Sequence, residues 1–331
     1  MKIKIYLSTD HNPWFNLATE DFIFRHSEDD SVILLLWQNA PSIVIGRAQN
    51  PYLECQLAQI EQDGVFLARR QSGGGTVYHD LGNLNFTFMS PTSGPYAYSK
   101  DVNFNLVLRA LKHIRIDAIR SPRNDLWVAY QGENRKISGS AFRETKLRAF
   151  HHGTLLIHSD LDRLTRYLAP STQKIEAKGV KSVRSPVLNL RTIQSELTVF
   201  QVQTALMEAF QDHYGAALIE NLSLETLNQH RELIETYDHY RSWEWRFART
   251  LPFHQTLEKS FSNGKISLSI HVENGLIQEA RFLNSPYAEK EIAPFEQALK
   301  QQCYERQALQ EALRPLSHLK DIQAWLMTEI L

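Results

Sequence analysis

The first part of the chain alternates between strand-like and helix-like hydrophobic patterns. Residues 3–7 place isoleucine or leucine at every second position, which predicts an opening strand. The Asn12-Pro13 pair predicts the start of a helix, with asparagine as N-cap and proline at the first position. Residues 32–37 and 43–45 are dense in β-forming residues, so we expect strands covered on both faces. This order is typical of a sheet with interspersed helices.

The same periodicities predict further elements. We expect helices at about 52–62, 102–113, 160–168, 199–213 and 225–236, and strands at about 65–70, 76–79, 84–89, 126–130, 136–142 and 152–157. The strands at 126–130 and 136–142 are predicted to form a hairpin around residues 131–134. Residues 174–184 are basic, contain glycine and lack clean periodicity, so we expect a long loop there.

The composition changes beyond the Trp243-Glu244-Trp245 segment. Residues 265–271 and 276–282 flank Asn274-Gly275, a strong hairpin signal, and three helical stretches close the chain. We therefore place a domain boundary near residue 248. The predicted fold class is α+β, with a large domain of mixed β-sheet flanked by helices at 1–247 and a small C-terminal α+β domain at 248–331.

Composition restricts the classes of function. The chain has 331 residues, of which 43% are hydrophobic and 22% charged, as in ordinary folded globular proteins. Its 36 Lys and Arg residues nearly cancel its 37 Asp and Glu residues, so no overall field would hold it on nucleic acid or on an anionic membrane. Any anion that the protein binds must therefore be held by a local cluster.

The cysteines and the apolar runs indicate in which cellular compartment the protein is expected. Cys55 and Cys303 lie far apart and cannot form a disulfide framework or a multi-cysteine metal site, so we expect reduced thiols in a cytoplasmic protein. The longest apolar run, 32–37, is too short to span a bilayer. We expect no signal peptide and no membrane anchor.

The sharpest local motif is Arg69-Arg70-Gln71-Ser72-Gly73-Gly74-Gly75-Thr76-Val77-Tyr78-His79. Each of the three glycines costs about 0.5–1 kcal/mol relative to alanine, which indicates that a ligand or another backbone approaches closely. Successive N–H groups without side chains can bind phosphate or carboxylate oxygens, and the two arginines add donors. The alternative is a tight hairpin whose glycines satisfy only turn geometry. The residues after Gly75 fit neither a P-loop nor a dinucleotide-binding fingerprint.

Two basic clusters and several histidines are further candidates. Lys136 lies among small residues at 138–141 that leave space in front of its ammonium group, although an exposed lysine there could be chance. Asn124-Asp125 precedes a strand and is either functional or a turn. The lysines of 174–184 form a flexible cover or a solvated face. Adjacent histidines on a strand point to opposite faces, so we favour hydrogen-bonding histidines over a zinc site.

Several motifs together resemble the lipoate-protein ligases, in the long two-domain bacterial form, within the biotin and lipoate protein ligase superfamily. The resemblance rests on five segments in the same order along the chain, Pro13–Ala18, Val44–Pro51, Arg69–Gly75, Arg123–Leu126 and Arg135–Ala141. Segments at 151–156 and 178–185 continue it, so that it covers the large domain almost end to end.

This resemblance implies a two-step reaction in the cytoplasm. Lipoate and ATP, with Mg²⁺, would give lipoyl-AMP and pyrophosphate in the large domain, and the small domain would be accessory. The lipoyl group would then pass to a lysine of the lipoyl domains of 2-oxoacid dehydrogenase complexes or of the glycine cleavage H protein. A monomer, with no nucleic acid or membrane partner, is expected.

The resemblance also implies roles for individual residues. Lys136 would contact both the lipoyl carboxyl group and the α-phosphate as an electrostatic stabiliser. The other implied ATP contacts are Arg70, Gly75, Thr76, Val77, Tyr78, Asn124 and Asp125, with Asp125 as the candidate Mg²⁺ ligand. The implied lipoyl pocket consists of Ser72, Gly73, Gly74, His79, Asn83 and His152. Lys178 and Lys181 would belong to a loop that folds over the adenylate.

Three other functions stay open. An octanoyltransferase of the same superfamily would use a cysteine thioester without ATP, and both cysteines lie outside the motif segments. A biotin-protein ligase shares the Asn-Asp and lysine pattern but has a different arginine-glycine loop. A binding protein would carry lipoate or its adenylate without turnover. Release of pyrophosphate from ATP and lipoate separates a ligase from the thioester enzyme and from the binding protein.

Overall fold

The structure is a computed structural model that describes residues 2–168, 174–177, 182 and 185–329. The chain divides into two compact units. The first unit comprises Met1–Arg47, Val65–Thr165 and Ser182–Arg241, and the second comprises Ala48–Gly64, Arg166–Lys181 and Ser242–Leu331. Residues 48–64 and the described residues of 166–181 thus group with the C-terminal residues, and the proposed boundary near residue 248 stays a prediction.

The strands of the described residues are β1 (Lys2–Ser8), β2 (Ser31–Trp37), β3 (Ser42–Ile45), β4 (Phe66–Arg69), β5 (Val77–His79), β6 (Asn83–Pro91), β7 (Ala118–Arg120), β8 (Leu126–Tyr130), β9 (Glu133–Ser138), β10 (Ser140–Glu144), β11 (Arg148–Leu156), β12 (Lys174–Ala177), β13 (Leu218–Leu222), β14 (Phe253–Phe261), β15 (Gly264–Glu273) and β16 (Leu276–Asn284).

The helices are α1 (Pro13–His26), α2 (Pro51–Glu54), α3 (Leu57–Gln62), α4 (Lys100–His113), α5 (Leu161–Tyr167), α6 (Val199–Tyr214), α7 (Leu224–Leu227), α8 (Arg231–Arg241), α9 (Glu289–Leu299), α10 (Arg306–Leu313) and α11 (Lys320–Glu329). Short 3₁₀ turns lie at Leu190–Thr192 and Ser317–Leu319, and a π-helical turn at Glu244–Ala248.

The main sheet of the first unit has the strand order β10-β11-β6-β2-β1-β13, with β1 parallel to both of its neighbours and the other pairs antiparallel. Every residue of β2 is buried, as predicted for a strand covered on both faces. Two smaller sheets, β4-β3-β5 and β7-β8-β9, complete the unit. The mixed sheet flanked by helices matches the predicted fold class.

The two faces of the main sheet have different partners. On one face, Phe86 and Phe88 of β6 belong to a core with α4 and α6 that includes Val107 and Phe210. On the other face, Thr87 of β6 donates to the Glu20 carboxylate of α1. Because side chains alternate along a strand, β6 and β11 present an apolar face to α4 and α6 and a polar face to α1.

Helix α1 begins as the sequence predicts. The side chain of Asn12 accepts hydrogen bonds from the backbone N–H groups of Trp14 and Phe15, at 2.9 and 3.2 Å, and Pro13 is the first helical residue. Such a cap provides an acceptor for backbone N–H groups of the first turn that have no partner within the helix. Replacing the capping residue by alanine typically lowers the free energy of unfolding by about 1 kcal/mol. The cap also fixes the direction in which α1 runs across the polar face of the sheet.

The predicted strand at 136–142 is two strands in different sheets. Residues up to Ser138 pair with β8, whereas Ser140 onward pair with β11 of the main sheet. The chain changes sheets at Gly139. Periodicity could not reveal this break, because both halves have strand-like composition and only their partners differ.

Other predicted elements also need correction. The helix at 52–62 is two short helices, α2 and α3, separated at Cys55. The helix at 225–236 is likewise split into α7 and α8. Within the predicted loop at 174–184, residues 174–177 form β12, because they pair with β14. The remaining lysines of that segment, Lys178 and Lys181, lie outside the described residues.

The second unit is a sheet covered on one face by helices. Its strand order is β12-β14-β15-β16, and its core includes Leu257, Leu268, Phe295 and Trp325. The hairpin predicted at Asn274-Gly275 is present, with φ of 51° and 74°, as a two-residue turn of this kind requires. Strand β14 was not predicted, since its alternation is interrupted by charged residues at its end.

No helix among the described residues has the length and apolar character needed to cross a bilayer.

His151 is a buried, uncharged residue of the main core. Its ring lies 4.7 Å from the ring centroids of both Phe104 and Phe142, and its Nε2 is 2.9 Å from the Ser140 hydroxyl. Its Nδ1 has no hydrogen-bond partner among the described residues. Burial, helped by nearby positive side chains and His152, lowers the pKa of His151 well below 6.5. The imidazole is therefore neutral in the folded protein.

This pKa shift predicts a loss of stability in acid. The unfolded chain protonates His151 below about pH 6.5 and the folded chain does not, so its contribution is fully present above pH 6.5 and is lost as the pH falls. Between pH 7 and pH 5 we expect one such histidine to cost about 2 kcal/mol. Urea unfolding at the two pH values should show a difference smaller by that amount in His151→Gln. The exposed His213→Gln is the control, and parallel profiles for His151→Gln and wild type would contradict the prediction.

Candidate active site

The three glycines of the first unit form a turn around a buried arginine. The Arg70 guanidinium donates from Nη2 to the carbonyl oxygens of Gly73 and Gly75, at 2.7 and 2.6 Å, and from Nη1 to that of Val44 at 3.0 Å. Burial lowers the pKa of Arg70 only to about 10, so the side chain stays charged at neutral pH. Arg70 thus holds the turn, and its contact with a ligand stays a prediction.

The structure gives different reasons for each glycine. Gly74 has a φ of +89°, which disfavours any residue with a Cβ. A Cβ on Gly75 would lie 3.2 Å from the Ser182 hydroxyl, so packing is tight there. A Cβ on Gly73 would meet nothing within 4 Å. The fold therefore accounts for Gly74 and Gly75 and leaves Gly73 unexplained.

A chain of buried hydrogen bonds connects this turn to the polar face of the main sheet. Arg70 Nε donates to the Ser72 hydroxyl at 3.0 Å, and the Ser72 Oγ lies 2.7 Å from His152 Nε2. His152 Nδ1 lies 2.9 Å from Glu20 Oε1, which also accepts from Thr87 at 2.6 Å. With Ser72 donating to His152 and His152 donating to Glu20, every hydrogen bond in the chain has one donor and one acceptor.

The Ser72, His152 and Glu20 side chains follow the order of a hydrolase triad, but they are not placed for nucleophilic catalysis. Ser72 is 1% exposed, and its hydroxyl already accepts a hydrogen bond from Arg70. A nucleophile must reach the substrate carbonyl, which a buried hydroxyl cannot do. These residues hold the glycine turn against the sheet.

His79 is a second neutral histidine, at the end of β5. Its Nδ1 accepts a hydrogen bond from Asn39 Nδ2 at 3.1 Å, and the Asn39 carbonyl oxygen in turn accepts from Asn16. Burial, with a smaller effect of Arg70, lowers the pKa of His79 to about 3. The proton of the neutral ring is therefore on Nε2, which has no hydrogen-bond partner among the described residues. A contact of this N–H with a ligand stays a prediction.

Lys136 and Asp125 form an ion pair next to Gly139. The Lys136 Nζ lies 2.9 Å from Asp125 Oδ1, and both side chains are partly buried. A Cβ on Gly139 would lie 3.3 Å from both Cε and Nζ of Lys136. The break between β9 and β10 therefore leaves room for the ammonium group. Thr154 fixes the Gly139 peptide, since its hydroxyl accepts from the Gly139 N–H and its own N–H donates to the Gly139 carbonyl.

The fold brings the glycine turn and the lysine into one neighbourhood. A Cβ on Gly74 would lie 3.7 Å from the Cβ of Ala141, five residues after Lys136. The Ser182 hydroxyl accepts from the Thr76 N–H at 2.9 Å. Farther along the same segment, the Lys136 N–H donates to Pro186 at 2.9 Å. Ser182 thus contacts the turn, and residues 186–188 contact the backbone of Lys136.

The remaining predicted site residues have varied surroundings. Asn124 has a φ of 64°, and its side-chain oxygen accepts from Arg120, so it forms a turn as well as preceding β8. The Asn83 Nδ2 donates to Asn85 Oδ1 at 3.0 Å. The Asn83 Oδ1 is buried and has no hydrogen-bond partner among the described residues. Burial raises the pKa of Tyr78 to about 12. Val77 is the first residue of β5 and directly precedes Tyr78.

Five residues that support the site were not among the predicted site residues; they lie in α1, in the main sheet and just after β2. They are Glu20, Asn39, Asn85, Thr87 and Thr154, all polar and four of them buried. The available signal was a polar residue within a hydrophobic element, as at Glu20 in α1. Such a residue is rarely buried unless it has a partner, but the sequence does not identify the partner.

The residues near Asp125 fit a magnesium ion only together with a substrate. In the part of the chain that the structure describes, no three His, Cys, Asp or Glu side chains are arranged to hold a metal ion. Magnesium is commonly bound by one or two carboxylates plus substrate phosphates and water. Asp125 supplies one such carboxylate, and the rest of the coordination sphere would have to come from a nucleotide.

Comparisons with known proteins agree on one family. Residues 12–211 match the model of the lipoyl protein ligase A/B catalytic domain, and residues 250–329 match that of the bacterial lipoate protein ligase C-terminus. A lipoate-protein ligase A from Bdellovibrio bacteriovorus is 39% identical, with 99% of each chain covered.

Solved structures give the same result. The P. falciparum LipL1 in complex with lipoate is 29% identical, with a TM-score of 0.66 over 99% of this chain and 100% of that chain. A lipoate-protein ligase A bound with ATP is 26% identical, with a TM-score of 0.60 over 74% and 98%. A bi-partite lipoate protein ligase from Thermoplasma acidophilum, studied with its E2 lipoyl domain, is 25% identical, with a TM-score of 0.62 over 74% and 96%.

The matched domains cover both ends of the chain in the order that the motifs predict, and the relatives are covered over nearly their whole length. The chain therefore belongs to the lipoate-protein ligase family and is an enzyme of that family.

Proposed function

We propose that this chain is an ATP-dependent ligase that activates lipoate and attaches it to a protein lysine. The observation that carries the proposal is the closeness of the glycine turn to the sheet break at Gly139. Gly74 faces Ala141 just after the break, and the Lys136 ammonium group packs against Gly139 itself. In the first step a lipoate carboxylate oxygen attacks the α-phosphorus of ATP, and pyrophosphate leaves. In the second step an acceptor amine attacks the acyl carbon of lipoyl-AMP, and AMP leaves.

Lys136 is the stabilising group for the first step. Negative charge builds up on the α-phosphate oxygens as the carboxylate approaches, and a fixed cation in a partly buried site stabilises that charge more than water does. The ion pair with Asp125 orients the ammonium group before substrates bind. Asp125 and Asn124 then face the nucleotide, and Asp125 would hold Mg²⁺, which supplies further charge neutralisation when bound with ATP.

The glycine turn supplies the backbone donors. Gly75, Thr76, Val77 and Tyr78 provide main-chain groups for the nucleotide, and the Thr76 N–H is occupied by the Ser182 hydroxyl in this structure. A phosphate oxygen would replace that hydroxyl as acceptor. Successive N–H groups without side chains form an anion-binding concavity of this kind. Lys178 and Lys181 come just before Ser182 in the sequence. These lysines would close over the adenylate and keep water from its labile mixed anhydride.

The polar face of the main sheet is the floor of the lipoyl pocket. Gly73 and Gly74 line it at the turn, and Ser72 and His152 belong to it as the buried residues that support these glycines. His79 and Asn83 each have one buried polar atom without a partner among the described residues. A neutral donor at His79 suits an uncharged acyl chain better than a cation would, because a buried charge without a partner is costly. The pocket is shaped by residues that the Arg70 to Glu20 chain of hydrogen bonds holds in place.

The second step relies on positioning. His152 is hydrogen-bonded to Ser72 beside the turn, and both of its nitrogens are already hydrogen-bonded, so it is not available as a general base. Holding an amine against an activated acyl group supplies up to roughly 7–11 kcal/mol. The acceptor would be a lysine of a lipoyl domain, either in a 2-oxoacid dehydrogenase E2 subunit or in the glycine cleavage H protein. We further propose that the enzyme acts as a cytoplasmic monomer, with residues 1–247 catalytic and residues 248–331 accessory.

The thioester alternative has less support. Cys55 is buried, and both cysteines belong to the second unit, whereas the glycine turn and Lys136 belong to the first. Burial, with nearby glutamates, raises the pKa of the Cys303 thiol, which makes it a poorer nucleophile at neutral pH.

Lys136→Ala tests the assignment of the cation. Loss of one charge-stabilising donor should reduce pyrophosphate release from ATP and lipoate by at least roughly 100-fold. The change leaves the partly buried Asp125 carboxylate without its cation, so the free energy of unfolding should fall by no more than about 1–3 kcal/mol and the chain should stay folded. Transfer from preformed lipoyl-AMP is measured separately, with Lys146→Ala as the exposed-lysine control. Near wild-type pyrophosphate release by Lys136→Ala would refute the proposed role.

Gly139→Ala tests whether Lys136 needs the space at the sheet break. The added methyl group should displace the ammonium group by a few tenths of an ångström and lower the adenylation rate by about tenfold, given that displacements near 1 Å cost on the order of 100-fold. Thermal unfolding should be almost unchanged. Gly153→Ala is the contrasting control, since its Cβ would lie 2.4 Å from Phe86 and should destabilise the fold. Unchanged kinetics in Gly139→Ala would contradict the prediction.

Gly73→Ala tests whether a bound ligand lies against the glycine turn. The methyl group meets no protein atom, so the unfolding midpoint should match that of wild type. If lipoate or its adenylate lies against this residue, the KM for lipoate should rise by roughly tenfold, as expected for a steric cost of about 1.4 kcal/mol. Wild-type values of KM for both lipoate and ATP would show that the site lies elsewhere.

A further inference from the structure

The sheet of the second unit carries a row of four titratable side chains, one from each strand. Glu176 of β12 lies directly opposite His254 of β14. His254 lies opposite His271 of β15, and His271 lies opposite Glu279 of β16. Directly opposed residues of antiparallel strands project to the same face of a sheet. The four residues therefore form one carboxylate–imidazole–imidazole–carboxylate row, called the histidine row below.

The histidine row lies on the face away from the core. The neighbours of His254 along β14, Phe253 and Gln255, are buried, and so are Ile270 and Val272 on either side of His271. Glu176, His254 and Glu279 are exposed, and His271 is half-buried. No hydrogen bond among the described residues fixes either imidazole ring. The two rings are thus free to reorient without disturbing the core.

The two rings are already close and parallel. Their centroids are 4.3 Å apart and their planes differ by 11°. Two imidazole nitrogens that share one metal ion at about 2.0–2.1 Å each must come to within about 2.9–3.4 Å of one another. In the parallel stack the in-plane lone pairs of the two rings run side by side, so one ring must rotate until a nitrogen of each ring points at the shared ion. The exposed His254 ring has the space to do so. The row is not a preformed three-ligand site, but two ligands need only a side-chain rotation to meet.

Two further features favour metal ligation. The register of β15 and β16 shifts between His271 and Val272, and such bulges redirect a side chain relative to its partner strand. Each imidazole also has a glutamate at its outer flank. A carboxylate there either accepts from the ring nitrogen that does not bind the metal or becomes a ligand itself, and both arrangements raise metal affinity.

We propose that the histidine row is a binding site for a borderline divalent transition-metal ion, Zn²⁺ or Cu²⁺. His254 and His271 supply two nitrogen ligands, Glu176 and Glu279 supply carboxylates, and water fills the remaining positions. Imidazole nitrogens suit these ions, whereas Ca²⁺ and Mg²⁺ prefer sets of oxygen ligands. The histidine row includes neither the glycine turn nor Lys136 of the proposed ligase function, both of which belong to the first unit.

The experiment titrates the full-length, chelator-treated chain with ZnCl₂ by calorimetry. We expect one equivalent to bind to the wild type, and at least tenfold weaker binding in each of His254→Gln and His271→Gln. Glu176→Gln and Glu279→Gln should weaken binding less, by two- to fivefold. His230→Gln, which removes an exposed imidazole of the first unit, is the matched control and should bind as the wild type does.

A second probe identifies the ligands directly. Electron paramagnetic resonance of one equivalent of Cu²⁺ should show hyperfine coupling to two imidazole nitrogens in the wild type and to one in either histidine variant. The proposal is wrong if the wild type binds neither ion at concentrations up to about 1 mM, which corresponds to a binding free energy of only about −4.1 kcal/mol. It is also wrong if both histidine variants bind as tightly as the wild type. Pyrophosphate release by His254→Gln should equal that of wild type, which keeps this result separate from the test of the ligase.

Discussion

The buried hydrogen bonds from Arg70 through Ser72 and His152 to Glu20 are the interaction on which the site depends. They join a turn that has almost no side chains of its own to the polar face of the main sheet. Three consecutive glycines have high conformational entropy in the unfolded chain, so their native geometry needs external support. The Arg70 guanidinium, bound to the carbonyl oxygens of the turn, gives that support. A charge this deeply buried is tolerated because its donors are hydrogen-bonded.

The second determinant is the change of sheets at Gly139. β9 and β10 are consecutive in sequence, yet β9 belongs to a small peripheral sheet and β10 to the edge of the main sheet. This places Lys136 on one sheet while Ala141 lies against the glycine turn on the other. A single residue without a side chain therefore allows both the break in pairing and the space for the ammonium group. Rigid strands on either side hold that group more firmly than a loop would.

Much of the fold was predictable from local pattern. The N-cap at Asn12, the fully buried β2 and the turn at Asn274-Gly275 were predicted correctly, because each depends on residues close together in sequence. The candidate site residues were proposed from motif spacing and from resemblance, and their ligand contacts stay predictions. The opposite roles of His151 and His152 also followed from the alternation of a strand, which turns one ring to the aromatic core and the other to Ser72.

The sequence alone thus determined the family, the order of most elements and the residue types that could bind an anion, since all of these depend on local composition and spacing. Tertiary structure alone decided which residues meet. Glu20 pairs with His152 across 132 residues, and Gly139 separates two strands because their partners lie in different sheets. Such pairings depend on long-range packing free energy, which no local pattern encodes. For the same reason, only the register of four strands revealed that His254 and His271 stack between two glutamates.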